Sequence, residues 1–304
     1  MGRGEQTDEV GLDKLVTESR LTQDADYDEL STRELLGLVN REDAVVPAAV
    51  AVAADELAAA IDAIVEKLRG GGRLVYVGAG SSGRLAALDA EECESTFSTE
   101  PGQVTAIVAG ASLDSAAERD AAEDDGEAGA DAVRALVSSR DAVVGVSASG
   151  RTPFVVGALE AAAVAGSLTV CVVSVPDSEL SRIAEHEVSV VVGPEIVAGS
   201  TRLKAGTAQK LVLNSISTLS MIRLGKTYGD LMVDVASTNE KLRARARRAV
   251  SLATGAGDDA VDAALAAAGG EAKVAIVSLL GDVDAETARS RLEQAGGNVR
   301  GALR

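Results

Sequence analysis

Two short segments carry residue types suited to holding an anion. Gly78-Ala79-Gly80-Ser81-Ser82-Gly83 is a GxGxxG that ends an apolar run, RLVYVG at 73–78, and opens a helical pattern. Ala142–Val146 leads in the same way to Ser147-Ala148-Ser149-Gly150-Arg151-Thr152-Pro153, where Pro153 is set to start a helix. Free amides and the helix dipole at such turns favour a phosphate. The hydroxyls of Ser81, Ser82, Ser147, Ser149 and Thr152 add donors, and Arg84 and Arg151 stand just beyond them. These residues, with Gly80 and Gly150, are the expected contacts to a phosphorylated small molecule. Gly and Ser also make tight strand-to-helix turns that bind nothing, but two such turns at one sheet edge could enclose a single ligand. A dinucleotide fits less well, because its ribose needs an acidic residue at the carboxyl end of the next strand. Here Val104–Val108 runs into Ala109-Gly110-Ala111-Ser112, and Glu100 lies at the wrong end.

With 47 Asp and Glu in the chain, spacing has to select among the carboxylates. Leu85, Leu88 and Glu92 fall at i, i+3 and i+7, which predicts Glu92 on an inward apolar face and Glu91 off it. Extending the stripe Val137, Val133, Ala130 backwards passes through Gly126 and reaches Glu123, with Asp124, Asp125 and Glu127 to the side. That selection is the weaker one, since Gly126 and Gly129 can break the helix. Two inward carboxylates beside a phosphate pocket meet the needs of general acid and base catalysis where histidine is scarce. His186 is the only histidine, Cys93 and Cys171 are far apart with no CxxC, and no metal site is expected within one chain. A cationic island adds to the anion reading. Residues 193–230 hold Arg202, Lys204, Lys210, Arg223 and Lys226 against Glu195 and Asp230, so 5 − 2 gives +3.

The chain that must position these groups has 304 residues and a net charge of 29 − 47 = −18. That sign repels phosphate backbones and anionic lipids, and aromatic residues at 2% with no Trp leave no stacking platform for bases. No nucleic acid or membrane partner is expected. No apolar run reaches the roughly 18 residues of a spanning helix, and MGRGEQTDEVGLD lacks the apolar stretch of a signal peptide, so a cytoplasmic location is expected. The acidic excess suits a salt-rich cytosol or simply a high-GC genome. The pattern predicts a helical N-terminal arm over 1–45, with a capping box at Ser31-Thr32-Arg33-Glu34. Over 46–240, five short apolar runs at 73–78, 104–108, 142–146, 168–175 and 188–192 alternate with helical stretches, which predicts an α/β domain with a doubly wound parallel sheet. Residues 241–304 read as a small all-α domain, inside which AALAAAGGEAKVAI and SRLEQAGGNVRGAL share a helix, Gly-Gly, helix pattern.

The segments GAGSSGRL, LDAEEC, AEDD, SASGRTP, GPEIVAGSTRLKAGTAQKLVLNSIST and LGKTYGDLMVDV with TNEKL resemble the N-acetylmuramic acid 6-phosphate etherase family. GAGSSG and SASGRTP occur widely among sugar isomerase (SIS) domains that bind phosphosugars, whereas the stretch from Gly193 to Leu242 is specific. The resemblance implies one SIS domain, a helical C-terminal domain, a homodimer and no cofactor. It implies a lyase that takes N-acetylmuramic acid 6-phosphate and water to N-acetylglucosamine 6-phosphate and D-lactate in cell-wall recycling. It places the catalytic glutamates at Glu92, in Asp89-Ala90-Glu91-Glu92-Cys93, and Glu123, in Ala121-Ala122-Glu123-Asp124. The specific segment supplies Glu195, Ser200, Thr201 and Lys204 as further candidate substrate contacts. The chain departs from the family at Glu91, where a Ser is common, at Glu94-Ser95, where two prolines are, and at Asp120-Ala121, where Glu-Gly is. Two other readings use the same loops: a phosphosugar isomerase, which would release no lactate, and a non-catalytic sensor like glucokinase regulatory protein. Retention of both glutamates argues against the sensor.

Overall fold

A computed structural model describes residues 16–21, 26–234 and 240–304. Residues 1–15 and 22–25 of the expected N-terminal arm, Val235 of LGKTYGDLMVDV, and Thr238 and Asn239 of the TNEKL motif lie outside the described residues. The arm's capping box is present: Glu34 N donates to Ser31 Oγ at 3.4 Å and Ser31 N to Glu34 Oε2 at 2.9 Å, opening α1 (Thr32–Asp43). Two further helices follow, α2 (Val46–Val52) and α3 (Ala54–Arg69).

Five strands then alternate with helices: β1 (Leu74–Gly78), α4 (Gly80–Phe97), β2 (Val104–Val108), α5 (Ala116–Glu123), α6 (Gly126–Leu136), β3 (Ala142–Val146), α7 (Pro153–Val164), β4 (Leu168–Val173), α8 (Glu179–Ile183) and β5 (His186–Ser189). The sheet order is β2-β1-β3-β4-β5, with Leu74 opposite Ala142, Ala142 opposite Leu168 and Val170 opposite His186 in parallel register. Val75, Val77, Val143 and Cys171 face one core with Phe154, Val155 and Leu159 of α7. Their neighbours Leu74, Tyr76, Val144 and Val170 point to the other face and are fully buried too, while α3 packs on β3, β4 and β5. Both faces are covered, as a parallel sheet requires.

The chain turns one way from β1 to β2 and the other way to β3, so the carboxyl ends of β1 and β3 flank the crevice where ligands bind in such sheets. At the opposite end of the same strands, Asp141 accepts from Arg73 N at 2.8 Å and Ser138 N at 2.8 Å and pairs with the Arg73 guanidinium at 2.9 Å. Burial alone would raise that carboxyl, but these hydrogen bonds outweigh it and bring the pKa down to about 2.

The polypeptide continues through α9 (Lys204–Arg223), a hairpin of β6 (Thr227–Tyr228) and β7 (Leu231–Met232), and the helices α10 (Glu240–Thr254), α11 (Asp258–Ala267), α12 (Ala272–Gly281), α13 (Ala285–Gln294) and α14 (Val299–Ala302). The Gly-Gly repeat is structural: Gly270 N donates to Leu265 O and Gly297 N to Leu292 O, both at 2.8 Å, and all four glycines have positive φ. Two compact units result, residues up to Leu88 with Thr105–Asn214, and Asp89–Val104 with Ser215–Arg304. The division thus differs from the boundary expected at 240. The C-terminal core draws in Val233, with Tyr228 and Leu231 packed against it, and therefore begins before α10. Among the described residues no single helix is long and apolar enough to cross a membrane.

Candidate active site

The first strand-to-helix turn is too tight for side chains at its three glycines. A Cβ on Gly78 would meet Gly83 Cα at 2.8 Å, and one on Gly83 would meet Val108 Cγ1 at 2.7 Å. Gly80 adopts φ +51, and a Cβ there would come to 2.8 Å from Glu123 Oε1. The glycines therefore let α4 start hard against β1 and let the Glu123 carboxylate lie on the turn itself. Ser81 and Ser82 follow in the first turn of α4, where Arg84 Nη2 donates to Ser81 Oγ at 3.2 Å.

The second turn gathers hydroxyls. Ser147, 3% exposed, has its Oγ 2.8 Å from Thr152 Oγ1 and 3.4 Å from Ser149 Oγ, and accepts from Gly150 N at 3.1 Å. Thr152 is the N-cap of α7 but its side chain makes no capping bond; Val155 N and Val156 N both donate to its carbonyl at 3.0 Å and Pro153 has no amide, so the hydroxyls of this turn, more than the helix amides, are what it offers an anion. Gly150, at φ +67, has no room for a Cβ against Ser178.

These turns bound a cavity of about 840 Å³, a volume suited to a phosphosugar. Its lining includes Gly80, Ser81, Ser82, Arg84, Glu123, Ser147, Ser149, Thr152 and Thr201. Glu123 is the last residue of α5, which the Ser115 cap opens, and the chain breaks at Asp124 and Asp125 before α6. The stripe from Val137 to Glu123 thus spans two helices, but the carboxylate still reaches the cavity. It is half-buried there, and burial pushes its pKa up. The Asp120 and Asp124 charges add to the rise, and the Arg84 guanidinium opposes it.

Other expected residues have internal duties. Glu195, 1% exposed, accepts from Lys204 N and Ala205 N, both at 3.0 Å, and so caps α9. The buried Lys204 ammonium pairs with Glu42 at 2.6 Å, and Lys226 pairs with Asp234 at 3.0 Å, so part of the cationic island is neutralised internally. Arg151 lines a separate groove with Glu160 and Glu179, and Ser200 is half-buried in the loop before α9. Glu92 belongs to the second unit and is exposed, and Leu88 is 53% exposed, so Leu85, Leu88 and Glu92 are not the buried stripe of α4. Gly83, Ala86, Ala90, Cys93 and Phe97 are, since small residues permit close approach that leucines would prevent. Sequence reasoning missed Glu18, Arg119 and Asp120 in the cavity lining. Arg119 and Asp120 precede Glu123 by four and three residues, a helical spacing that could have found them. Glu18 comes in on a 3₁₀ turn held by Gly199 N donating to Thr17 O at 3.0 Å, and it had no local signal.

A parallel sheet with hydroxyl-rich turns at its switch point defines an SIS-type domain. The model of the SIS domain matches residues 121–219, and that of the glucokinase regulatory protein N-terminal SIS domain matches 56–163. Over 293 residues the chain is 58% identical to the N-acetylmuramic acid 6-phosphate etherase of Rubrobacter xylanophilus, covering 96% of this chain and 97% of that one. It is 54% identical to the enzyme of that name from Streptomyces coelicolor, at 96% and 94% coverage, and 53% identical to that from Streptomyces avermitilis, at the same coverage. The chain belongs to the N-acetylmuramic acid 6-phosphate etherase family.

Proposed function

We propose that this protein is a carbon–oxygen lyase that converts N-acetylmuramic acid 6-phosphate and water to N-acetylglucosamine 6-phosphate and D-lactate, with no cofactor. The observation that carries the reading is Glu123, a carboxyl with a raised pKa in the cavity framed by the two hydroxyl turns, in a chain so similar to named etherases. In the open-chain sugar, the C1 aldehyde acidifies the C2 proton, and the lactyl oxygen on C3 is a β-leaving group. A base removes the C2 proton, the C2=C3 bond forms as the C3–O bond breaks, and the lactyl oxygen takes up a proton. Water then adds its oxygen to C3, and a proton returns to C2.

Ser81, Ser82, Ser147, Ser149, Thr152 and the N-terminus of α7 bind the 6-phosphate in this reading. Glu123 handles the C2 proton or the water that adds back at C3, and Glu92 protonates the lactyl oxygen. A carboxyl whose pKa is raised above the ordinary glutamate range is better placed to both take and return a proton. The enzyme works as a cytoplasmic homodimer in cell-wall recycling. Support for the dimer is apolar surface on α9, where Leu219 and Ile222 are 44% and 41% exposed. A monomer by light scattering at micromolar concentration and moderate salt would overturn that part.

Release of D-lactate from N-acetylmuramic acid 6-phosphate tests the activity. Elimination and hydration put deuterium at C2 in D2O and the oxygen of labelled water at C3, whereas hydrolysis at the lactyl carbon puts the label in lactate. An isomerised sugar without lactate supports the isomerase instead, and binding without turnover supports the sensor.

A further inference from the structure

Outside the cavity, the second unit holds a buried polar pair on α4 and α9. Asp89 is 5% exposed and Ser217 is 3% exposed, and Ser217 Oγ donates to Asp89 Oδ1 at 3.0 Å. A buried carboxylate is unfavourable unless hydrogen bonds or opposite charge compensate it. Apolar residues would fill this place without that cost, so the pair calls for a purpose. It sits on the inward stripe of α4 with Ala90, Cys93 and Phe97, while Glu91, Glu92 and Glu94 are exposed. Cys93 Sγ donates to Asp89 O at 3.3 Å, and the Ser217 hydroxyl also faces that thiol.

Asp89 precedes Glu92 by three residues, which on an α-helix places the two side chains about 60° apart around the axis. Rotation of α4 would break the hydrogen bond between Ser217 and the Asp89 carboxylate, so the pair fixes the azimuth of the residues in this turn. Ala90 and Cys93 alone would tolerate small rotations, because apolar contacts have no direction.

We propose that Asp89 is a positioning residue for ether cleavage: its carboxylate, hydrogen-bonded to Ser217, locks the rotation of the second half of α4 and so sets where the Glu92 carboxyl stands. The inference rests on the reading of Glu92 as the acid. The phosphate turns are built from other residues, so the effect falls on kcat and not on KM.

Ser217→Ala removes the donor with little change in volume. Its kcat for lactate release should fall about 10- to 100-fold, the scale of a small misplacement of a catalytic group, with KM unchanged within about threefold. Ser217→Thr keeps a hydroxyl and should recover most of the loss. In a Glu92→Gln background, Ser217→Ala should add almost nothing, because the pair acts through Glu92. Near-full activity of Ser217→Ala, or a full multiplicative loss on top of Glu92→Gln, overturns the proposal.

Thiol labelling gives a readout independent of turnover. Cys93 is buried, and burial, with the Asp89 charge next, pushes its pKa up to about 12, so in the unaltered chain it should resist a disulfide reagent such as dithiodipyridine. In Ser217→Ala it should react well before Cys171, which is buried in β4. Labelling of both thiols together, or of neither, overturns the lock. If the unaltered chain releases no lactate, the proposed function fails, while the thiol order still decides whether the pair holds α4.

Discussion

The Ser147–Thr152 turn and the Gly193–Lys204 segment are made of similar small and polar residues and use them in opposite ways. In the first, the hydroxyls of Ser147, Ser149 and Thr152 bond one another, and the capping position of α7 is left without a side-chain bond. The cluster therefore faces the cavity with bonding capacity to spare. In the second, both oxygens of Glu195 are taken by α9 amides, and Lys204 is taken by Glu42. Of that segment, Thr201 lines the cavity. Charged groups whose bonds are already filled from within hold a fold together, and groups with bonds left over are placed to meet a ligand.

The largest effect that could break this contrast is at the carboxylates. Glu123→Gln keeps the shape of the side chain and should lower kcat by about 10²–10⁴, the usual range for proton transfer, without unfolding the chain. Glu92→Gln should do the same. The neighbours Glu91, Asp124 and Asp125 serve as controls, and losses there as large as at Glu92 and Glu123 would sink the carboxylate assignment even with lactate release intact. Next in size come the hydroxyls. Hydrogen bonds to a charged group contribute about 1.5–3 kcal/mol, so Ser147→Ala and Thr152→Val should each raise KM for the phosphosugar about tenfold or more, with smaller changes in kcat. Unchanged KM in both variants would put the phosphate elsewhere.

Glu195→Ala should show the other side of the contrast. It leaves the amides of Lys204 and Ala205 without their buried acceptor, at a cost of about 1–3 kcal/mol in stability. A lower Tm with KM nearly unchanged is expected on thermal unfolding and steady-state assay. A raised KM with an unchanged Tm would return Glu195 to the substrate contacts that sequence alone suggested.

The five strands were legible because a sheet buried on both faces writes continuous apolar runs, as at Leu74–Val77 and Leu168–Val173. The hydroxyl turns were legible because strand ends and Pro153 frame them. Helix faces were harder. On α4 the leucines suggested one inward stripe and the small residues formed another, since Leu85 and Leu88 read as core by type alone. Nothing local foretold that Glu195 would cap a helix nine residues on, or that Glu18 would reach the cavity, because both depend on where distant segments dock. The break at Asp124 and Asp125 was half-visible, signalled by Gly126, whose real duty with Gly129 and Gly157 is to let α6 and α7 touch backbone to backbone.

The smallest expected effect sharpens the electrostatics of the cavity. If Glu123 acts as a base, it works only when ionised, so kcat/KM should fall as pH drops through its pKa. Burial and the Asp120 charge hold that pKa above the ordinary glutamate range, and the acidic limb of the profile should therefore lie above it as well. Asp120→Asn removes one raising influence, and it should move the limb to lower pH while leaving the plateau rate within a few-fold. Arg84→Ala removes the opposing charge and should move the limb the other way, with an added rise in KM if its guanidinium also meets the phosphate. The two shifts have opposite signs, which a general loss of stability could not produce. A limb that stays put in both variants would mean that the titrating group is not Glu123.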